Sequence, residues 1–76
     1  MAAKLTLEYD RVGDILYITS CRPYAEQESD EIDDGVIARS NPDTGNIESL
    51  EILWFSTRLT GTPLELPIAA DLRLDG

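Results

Sequence analysis

The sequence GVIARSNPDTGNIESLEILWF occupies residues 35–55, and this stretch decides the fold. Its two ends, residues 35–40 and 47–55, are rich in the β-branched and aromatic side chains that favour strands. Between them, residues 41–46 combine asparagine, proline and glycine, which together reverse a chain. The proline presets the backbone for a type I turn, and Gly45 supplies a left-handed residue before the ladder resumes. The stretch therefore predicts a β-hairpin made of a third and a fourth strand.

A first hairpin is predicted on the N-terminal side of this stretch. Residues 4–9 alternate between polar and apolar side chains, which is typical of a half-buried strand. The segment DRVGD at residues 10–14 carries turn residues, and residues 15–19 form a continuous apolar run. Because that run does not alternate, we expect both faces of the second strand to be covered.

Residues 20–34 are the least regular part of the sequence. Pro23 opposes a strand, and six carboxylates lie between residues 26 and 34. We interpret the segment as a loop, with room for a short strand near Glu31 and Ile32. The acidic run 30–35 fails the calcium-loop pattern, because Ile32 and Asn41 occupy two of its ligand positions. We interpret the acidic cluster 26–34 as solvated.

The C-terminal part differs in character. Ser56 is predicted to cap a single helical turn over residues 57–59, which Gly61 would end. Two prolines then restrict any further strand to an edge. The predicted fold class is mainly β (small α+β): a four-stranded antiparallel meander of two hairpins with a short C-terminal helical turn and an extended tail. We predict a single small domain over residues 1–76, with sheet and helix in residues 1–59 and the tail in residues 60–76.

Charge and length exclude several classes of protein. The 76 residues contain six Lys and Arg against fifteen Asp and Glu, a formal charge of −9. Such a chain repels phosphate backbones and anionic lipid, so we predict no nucleic-acid and no membrane partner. Glu8 and Asp10 interrupt any apolar run that could form a signal peptide. The predicted location is cytoplasmic, and the acidity serves solubility or a basic protein partner.

Residue counts remove most catalytic chemistry. The chain has no histidine and one cysteine, which excludes a Ser-His-Asp triad, a Cys-His dyad, an intramolecular disulfide and a thiolate zinc site within it. We interpret Cys21 as an inert or semi-buried thiol, although Arg22 beside it could lower its pKa slightly. Asp10 and Asp14 flank a turn and are interpreted as turn residues, not as an acid–base pair. We predict no enzyme, no cofactor, and no catalytic, cofactor-binding or metal-binding residues.

The aromatic residues and the second turn are also assigned to structure. The five aromatic side chains could stack a ligand, but the core of a small sheet accounts for them; they are Tyr9, Tyr17, Tyr24, Trp54 and Phe55. The segment Asp43-Thr44-Gly45 is interpreted as a turn and not as a phosphate-binding loop, because no helix begins after it.

The order of these features resembles that of a known family. The matching elements are YD at residues 9–10, GDILYI at 13–18, DDGV at 33–36, D-x-GNI at 43–47, LEI at 50–52, and Ser56. With them the chain resembles the small bacterial domain-of-unknown-function family 2283 over residues 5–59. The resemblance implies an antiparallel sheet with a short C-terminal helical piece, and no activity, catalytic residue or ligand residue. Some members of that family lie beside small toxin-like proteins, which implies an antitoxin or partner role.

Three functions remain open on the sequence. The first is a non-enzymatic protein-interaction module that binds itself or another protein. The second is an antitoxin-like acidic inhibitor of a small basic partner, and the third is a carboxylate-based metal-dependent enzyme. Large apolar side chains on both faces of the sheet favour a twofold homodimer. The alternative is a monomer whose own tail covers the second face.

Overall fold

A computed structural model describes residues 4–74 of the chain. These residues form five strands, one short helix and an extended tail. The ends of the predicted domain, residues 1–3 and 75–76, lie outside the described residues. The elements are β1 (Thr6–Asp10), β2 (Ile15–Thr19), β3 (Glu28–Asp33), β4 (Val36–Ser40), β5 (Ile47–Leu53) and α1 (Phe55–Arg58). The prediction of a mainly β fold with an antiparallel sheet and a short helix is confirmed.

The strand order is β1-β2-β5-β4-β3, and every pair is antiparallel. The two predicted hairpins exist as β1–β2 and β4–β5. The prediction of four strands in a meander is wrong, because a fifth strand is present and β2 pairs with β5 and not with its successor in the chain. Residues 20–27 therefore cross the ends of β5 and β4 to reach the far edge, where β3 begins.

Strand β3 lies in the segment interpreted as a loop, and it includes the short strand considered near Glu31 and Ile32 but is longer. Its sequence is ESDEID, and only Ile32 is partly buried. An edge strand that faces solvent on both sides needs no apolar alternation, so its acidic sequence resembles that of a loop. Backbone pairing with β4 holds it in place, with an irregularity between Glu31 and Asp33.

The end of β5 also differs from the prediction. The strand stops at Leu53 because Trp54 adopts a left-handed backbone conformation with φ of 52°. Helix α1 then begins at Phe55, and Trp54 precedes it without a side-chain cap. The prediction that Ser56 caps the helix is wrong, since Ser56 lies inside α1 and its hydroxyl donates to Asp14 Oδ2 at 2.7 Å.

The turn between β4 and β5 agrees with its prediction. Asn41 Oδ1 accepts hydrogen bonds from the backbone N–H groups of Asp43 at 2.8 Å and Thr44 at 3.2 Å. Gly45 has φ of 76°, and its N–H donates to the Asn41 carbonyl at 2.8 Å. The asparagine caps the turn and the glycine supplies its left-handed residue, as we expected.

The core lies on one face of the sheet. Its four buried apolar side chains come from the two central strands: Val36, Ala38, Leu50 and Ile52. The register places Leu16 opposite Ile52 and Ile18 opposite Leu50, so β2 extends the same face. Helix α1 and the tail cover this core face within the chain, through Phe55, Leu64, Leu66 and Ile68.

The opposite face is only half-buried. The pairing places Tyr17 beside Glu51, and Glu51 beside Ile37, on this face. Arg39 forms an ion pair with Glu51 at 3.2 Å across it. All five residues of β2 are half-buried, so the expectation that both faces of this strand are covered holds only in part on either face. No helix in residues 4–74 has the length and apolar character needed to cross a membrane.

Candidate protein-binding edge

The strand order leaves β1 at one end of the sheet. In the described part of the chain β1 pairs only with β2, so the backbone on its outer side has no strand beside it. All five of its residues are exposed. Leu5, Leu7 and Tyr9 form an apolar row that continues the core face. Their exposed fractions are 57%, 60% and 44%. An exposed, regular edge with large apolar side chains is a template for pairing with another strand.

The other end of the sheet is built differently. Strand β3 carries four carboxylates in six residues, and its pairing with β4 is irregular near Asp33. Charged side chains and β-bulges are two devices by which proteins prevent edge-to-edge pairing. The chain thus protects the β3 edge against strand addition and leaves the β1 edge open to it.

The charged side chains are also distributed unequally between the β1 end and the β3 end of the sheet. Residues 1–22 contain three basic and three acidic side chains, so this part of the chain is neutral. Residues 23–76 contain three basic and twelve acidic side chains and carry the whole formal charge of −9. Because residues 1–22 supply β1 and β2, the β1 end of the sheet is neutral and the β3 end is strongly acidic.

A hydrogen-bond network at the tip of the first hairpin fixes β1 relative to helix α1. Asp14 Oδ1 accepts hydrogen bonds from Tyr9 Oη at 2.5 Å and from the Ser56 backbone N–H at 3.0 Å. The Asp14 carbonyl accepts from the Phe55 N–H at 3.0 Å. The rings of Tyr9 and Phe55 lie 6.0 Å apart between centroids. These contacts hold the C-terminal end of the open edge in one position.

The hydrogen bond between the Tyr9 hydroxyl and the Asp14 carboxylate shifts the pKa values of both residues. The Tyr9 hydroxyl, followed by the hydroxyl and backbone N–H of Ser56, holds the pKa of Asp14 below its ordinary value of 3.8. The same hydrogen bond raises the pKa of Tyr9, because the proton it donates is harder to remove. The network is therefore intact at neutral pH, with Asp14 ionised and Tyr9 protonated.

A second network surrounds Glu48 at the other end of the strands. Glu48 Oε1 accepts from Tyr24 Oη at 2.6 Å and from Gln27 Nε2 at 3.0 Å, and Oε2 accepts from Asn41 Nδ2 at 3.4 Å. The Glu48 carbonyl accepts from the N–H of Ser20 at 2.9 Å. The crossing loop and the β4–β5 turn are thus both attached to β5.

This network also sets the chemistry of the cysteine. Cys21 is exposed, but partial desolvation of its thiol, and then the nearby Glu48 carboxylate, raise its pKa. The net shift is upward, so the slight lowering expected from Arg22 does not determine the pKa of this thiol. A thiol with a raised pKa is mostly protonated at neutral pH and is a weak nucleophile, which agrees with an inert role.

A mainly apolar groove lies on the core face between the tail and the first residues of β5. It lies between the sheet and the tail, with Leu5 and Ile18 on one side and Leu66, Ile68 and Leu72 on the other. Leu72 is 84% exposed, so the tail covers the centre of the face and leaves its β1 side open. The groove therefore adjoins the exposed apolar row at Leu5.

The structure separates the residues that the sequence analysis considered as sites. Asp10 Oδ1 accepts from the N–H groups of Val12 at 3.0 Å and Gly13 at 3.2 Å, which is a turn-capping role. Asp14 serves the network described above. No group of three or more His, Cys, Asp or Glu side chains placed to hold a metal ion occurs among residues 4–74.

The aromatic side chains do not converge on one stacking site. Tyr9 contacts Phe55, and Tyr24 donates to Glu48. Trp54 is 51% exposed and lies under the Arg58 guanidinium, which is 5.8 Å from the ring centroid. Glu48 and Arg58 were not predicted from the sequence, because each forms hydrogen bonds with residues from distant segments. Arg58 donates to the carbonyls of Leu53 and Asp34.

These features define a class: a small antiparallel β-sheet domain with a polar hydrogen-bond network at each end of its strands and one open edge. The chain matches the model of a family described as proteins of unknown function, DUF2283, over residues 6–56. Since the match covers more than half of the chain, the protein belongs to this family, which confirms the resemblance found in the sequence. No curated protein and no solved structure matches the chain.

Proposed function

We propose that this chain is a non-enzymatic protein-interaction module that binds an extended segment of its partner along the outer side of β1. The observation that carries the proposal is the contrast between the two edges. Strand β3 is acidic and irregular, whereas β1 is regular, electrically neutral in its surroundings and lined by Leu5 and Leu7. In such strand addition, backbone hydrogen bonds supply affinity and alternate side chains supply specificity.

The proposal is tested by capturing partners from a cell lysate with three baits: the wild-type chain, Leu7→Lys and Ser29→Lys. The first variant places a charge in the apolar row of β1, and the second places the same charge on β3 as the matched control. Both positions are exposed strand residues. We expect the partner to be lost with Leu7→Lys and kept with Ser29→Lys. A partner that binds both variants equally, or a wild-type chain that binds neither another protein nor a second copy of itself, would contradict the proposal.

An acidic inhibitor of a basic partner is the second candidate. It is supported by the exposed carboxylates of β3, which are Glu28, Asp30, Glu31 and Asp33. Salt separates it from the first candidate. Binding through the acidic edge falls steeply when salt is raised to about 0.5 M, since exposed charges are then screened over a few ångströms. Binding along β1 persists under the same conditions. The cytoplasm stays the predicted location for either role.

A further inference from the structure

We infer that the segment bound along β1 is β1 of a second copy of this chain, and that the two copies form a closed twofold dimer centred on Leu7. The inference rests on the proposed use of the β1 edge and names the partner. It joins two five-stranded sheets into one continuous sheet of ten strands, with β3 at both outer ends.

The first reason is that residues 4–10, KLTLEYD, which are β1 and the two residues that precede it, are self-complementary in antiparallel pairing. When Leu7 of one copy lies opposite Leu7 of the other, Lys4 lies opposite Asp10 and Leu5 lies opposite Tyr9. Opposite charges and apolar pairs at directly facing positions stabilise an antiparallel ladder. Moving the centre to Glu8 would place two carboxylates opposite each other, and moving it to Thr6 would pair fewer of these residues.

The second reason is the apolar row on the core face. A twofold axis perpendicular to the sheet keeps the core faces of both copies on the same side. The exposed Leu5, Leu7 and Tyr9 of one copy then continue directly into those of the other, and each row covers the other. The groove of each copy reaches the paired rows at its Leu5.

The third reason is the distribution of charge. Each chain carries −9, yet residues 1–22 are neutral, so the neutral ends of the two sheets meet. With strands about 4.8 Å apart, the two acidic β3 edges lie about 40 Å from each other. That distance is several times the screening length of about 8 Å at physiological salt. Pairing through β3 would instead bring the acidic edges together, and pairing of β1 with β3 would not close.

Cysteine trapping tests the register. Directly opposite residues of antiparallel strands have Cα atoms about 4.5–5.5 Å apart, which fits a disulfide. Three variants are compared in a Cys21→Ser background under mild oxidation: Leu7→Cys, Thr6→Cys and the collision control Val12→Cys, whose side chain is fully exposed. We expect a disulfide-linked dimer for Leu7→Cys alone. Linkage of Thr6→Cys instead, or equal linkage of all three variants, would overturn the inference.

Sedimentation equilibrium tests the dimer without any added cysteine. We expect the wild-type mass to rise with concentration from 8.4 kDa toward twice that value, and the Leu7→Lys mass to stay at 8.4 kDa. A wild-type mass that stays at 8.4 kDa up to about 1 mM, where even weak interfaces associate, would overturn the inference. In that case, capture of another protein that is lost with Leu7→Lys would still support the proposed function.

Discussion

Glu48 is the residue at which three separate segments meet. Its carboxylate accepts hydrogen bonds from Tyr24, Gln27 and Asn41, and Tyr24 is the largest cause of its lowered pKa. The same contact raises the pKa of Tyr24 to about 12. The folded state therefore gains stability from the protonated Tyr24. This contribution is complete below the ordinary pKa of 10 and is lost as the pH rises through about 12.

We expect Glu48→Gln to return the pKa of Tyr24 toward 10, because the neutral amide no longer favours the protonated phenol. Tyrosinate absorbance during an alkaline titration measures this change. The Tyr24→Phe variant identifies the late-titrating group, since that phase is absent in it. An unchanged titration curve in Glu48→Gln would show that the carboxylate is not the cause.

Asp14 makes stability depend on pH in the opposite direction. Its pKa in the folded chain is below the ordinary value of 3.8, so the unfolded chain binds the proton more readily. Its contribution to stability is present above pH 3.8 and is lost as the pH falls through the lower folded pKa. We expect Asp14→Asn to be less stable at neutral pH and to lose less stability on acidification. Urea unfolding at several pH values checks this, and an acid dependence as steep as that of the parent would contradict it.

Asparagine is the suitable replacement for this test. Asp14 has φ of 55°, a left-handed conformation that asparagine tolerates better than most residues. The variant therefore removes the charge without adding backbone strain. Ser56→Ala serves as a companion, because it removes the 2.7 Å hydrogen bond to Asp14 and keeps the carboxylate.

Gly35 and Gly45 form a matched pair for separating backbone strain from packing. Both have positive φ, 69° and 76°, so an alanine costs about 1–2 kcal/mol at either position. At Gly35 the new Cβ would also lie 2.5 Å from Trp54 Cζ3 and closer still to Arg58 Nη2, whereas at Gly45 no atom of the described residues would lie within 4 Å. Displacing Arg58 from its two carbonyl partners adds about 1–3 kcal/mol. Equal losses in urea unfolding would contradict this packing.

At the scale of elements, the tail acts as the cover of the core face. Leu64 is half-buried against the core, whereas Leu72 is 84% exposed. We expect Leu64→Ala to lower the free energy of unfolding by about 1–2 kcal/mol, less than for a fully buried leucine. Leu72→Ala should change it by less than about 0.5 kcal/mol. Urea unfolding of the two variants measures the difference, and equal effects would show that the tail does not pack as described.

The two hairpins were predictable because each is specified locally. Alternation in residues 4–9, the β-branched run of β2 and the turn at 41–46 all lie within short segments. Strand β3 was foreseen only as a short strand near Glu31 and Ile32, since an exposed edge strand needs no apolar pattern. The pairing of β2 with β5 joins segments about thirty residues apart, and no local signal encodes that register.

The candidate site was likewise only partly predictable from the sequence. The apolar row of Leu5, Leu7 and Tyr9 was visible in the sequence, but the sequence alone did not show that β1 lies at an edge. That position follows from the strand order. The Glu48 network was invisible for a similar reason, because its donors come from residues 20–27 and from the β4–β5 turn.

For the molecule as a whole, the strand order and the distribution of charge both favour pairing at the β1 edge. The family match over residues 6–56 includes every strand, both faces of the sheet and the Asp14–Ser56 contact, and it excludes the tail. Strand β1, with Leu7 and Tyr9, therefore belongs to the matched part of the chain, whereas Lys4 and Leu5 precede that part. An acidic protein with one neutral, regular edge can pair there without bringing its charges together.

Amide hydrogen exchange at low and high protein concentration tests the pairing of β1 with a second copy most directly. Within residues 4–74 of one chain no strand lies beside the outward-facing amides of β1, so they exchange quickly unless another strand covers them. The account predicts that these amides become protected as concentration rises, while the outer amides of β3 continue to exchange rapidly. Unchanged exchange in β1, or protection that appears at β3 instead, would contradict it.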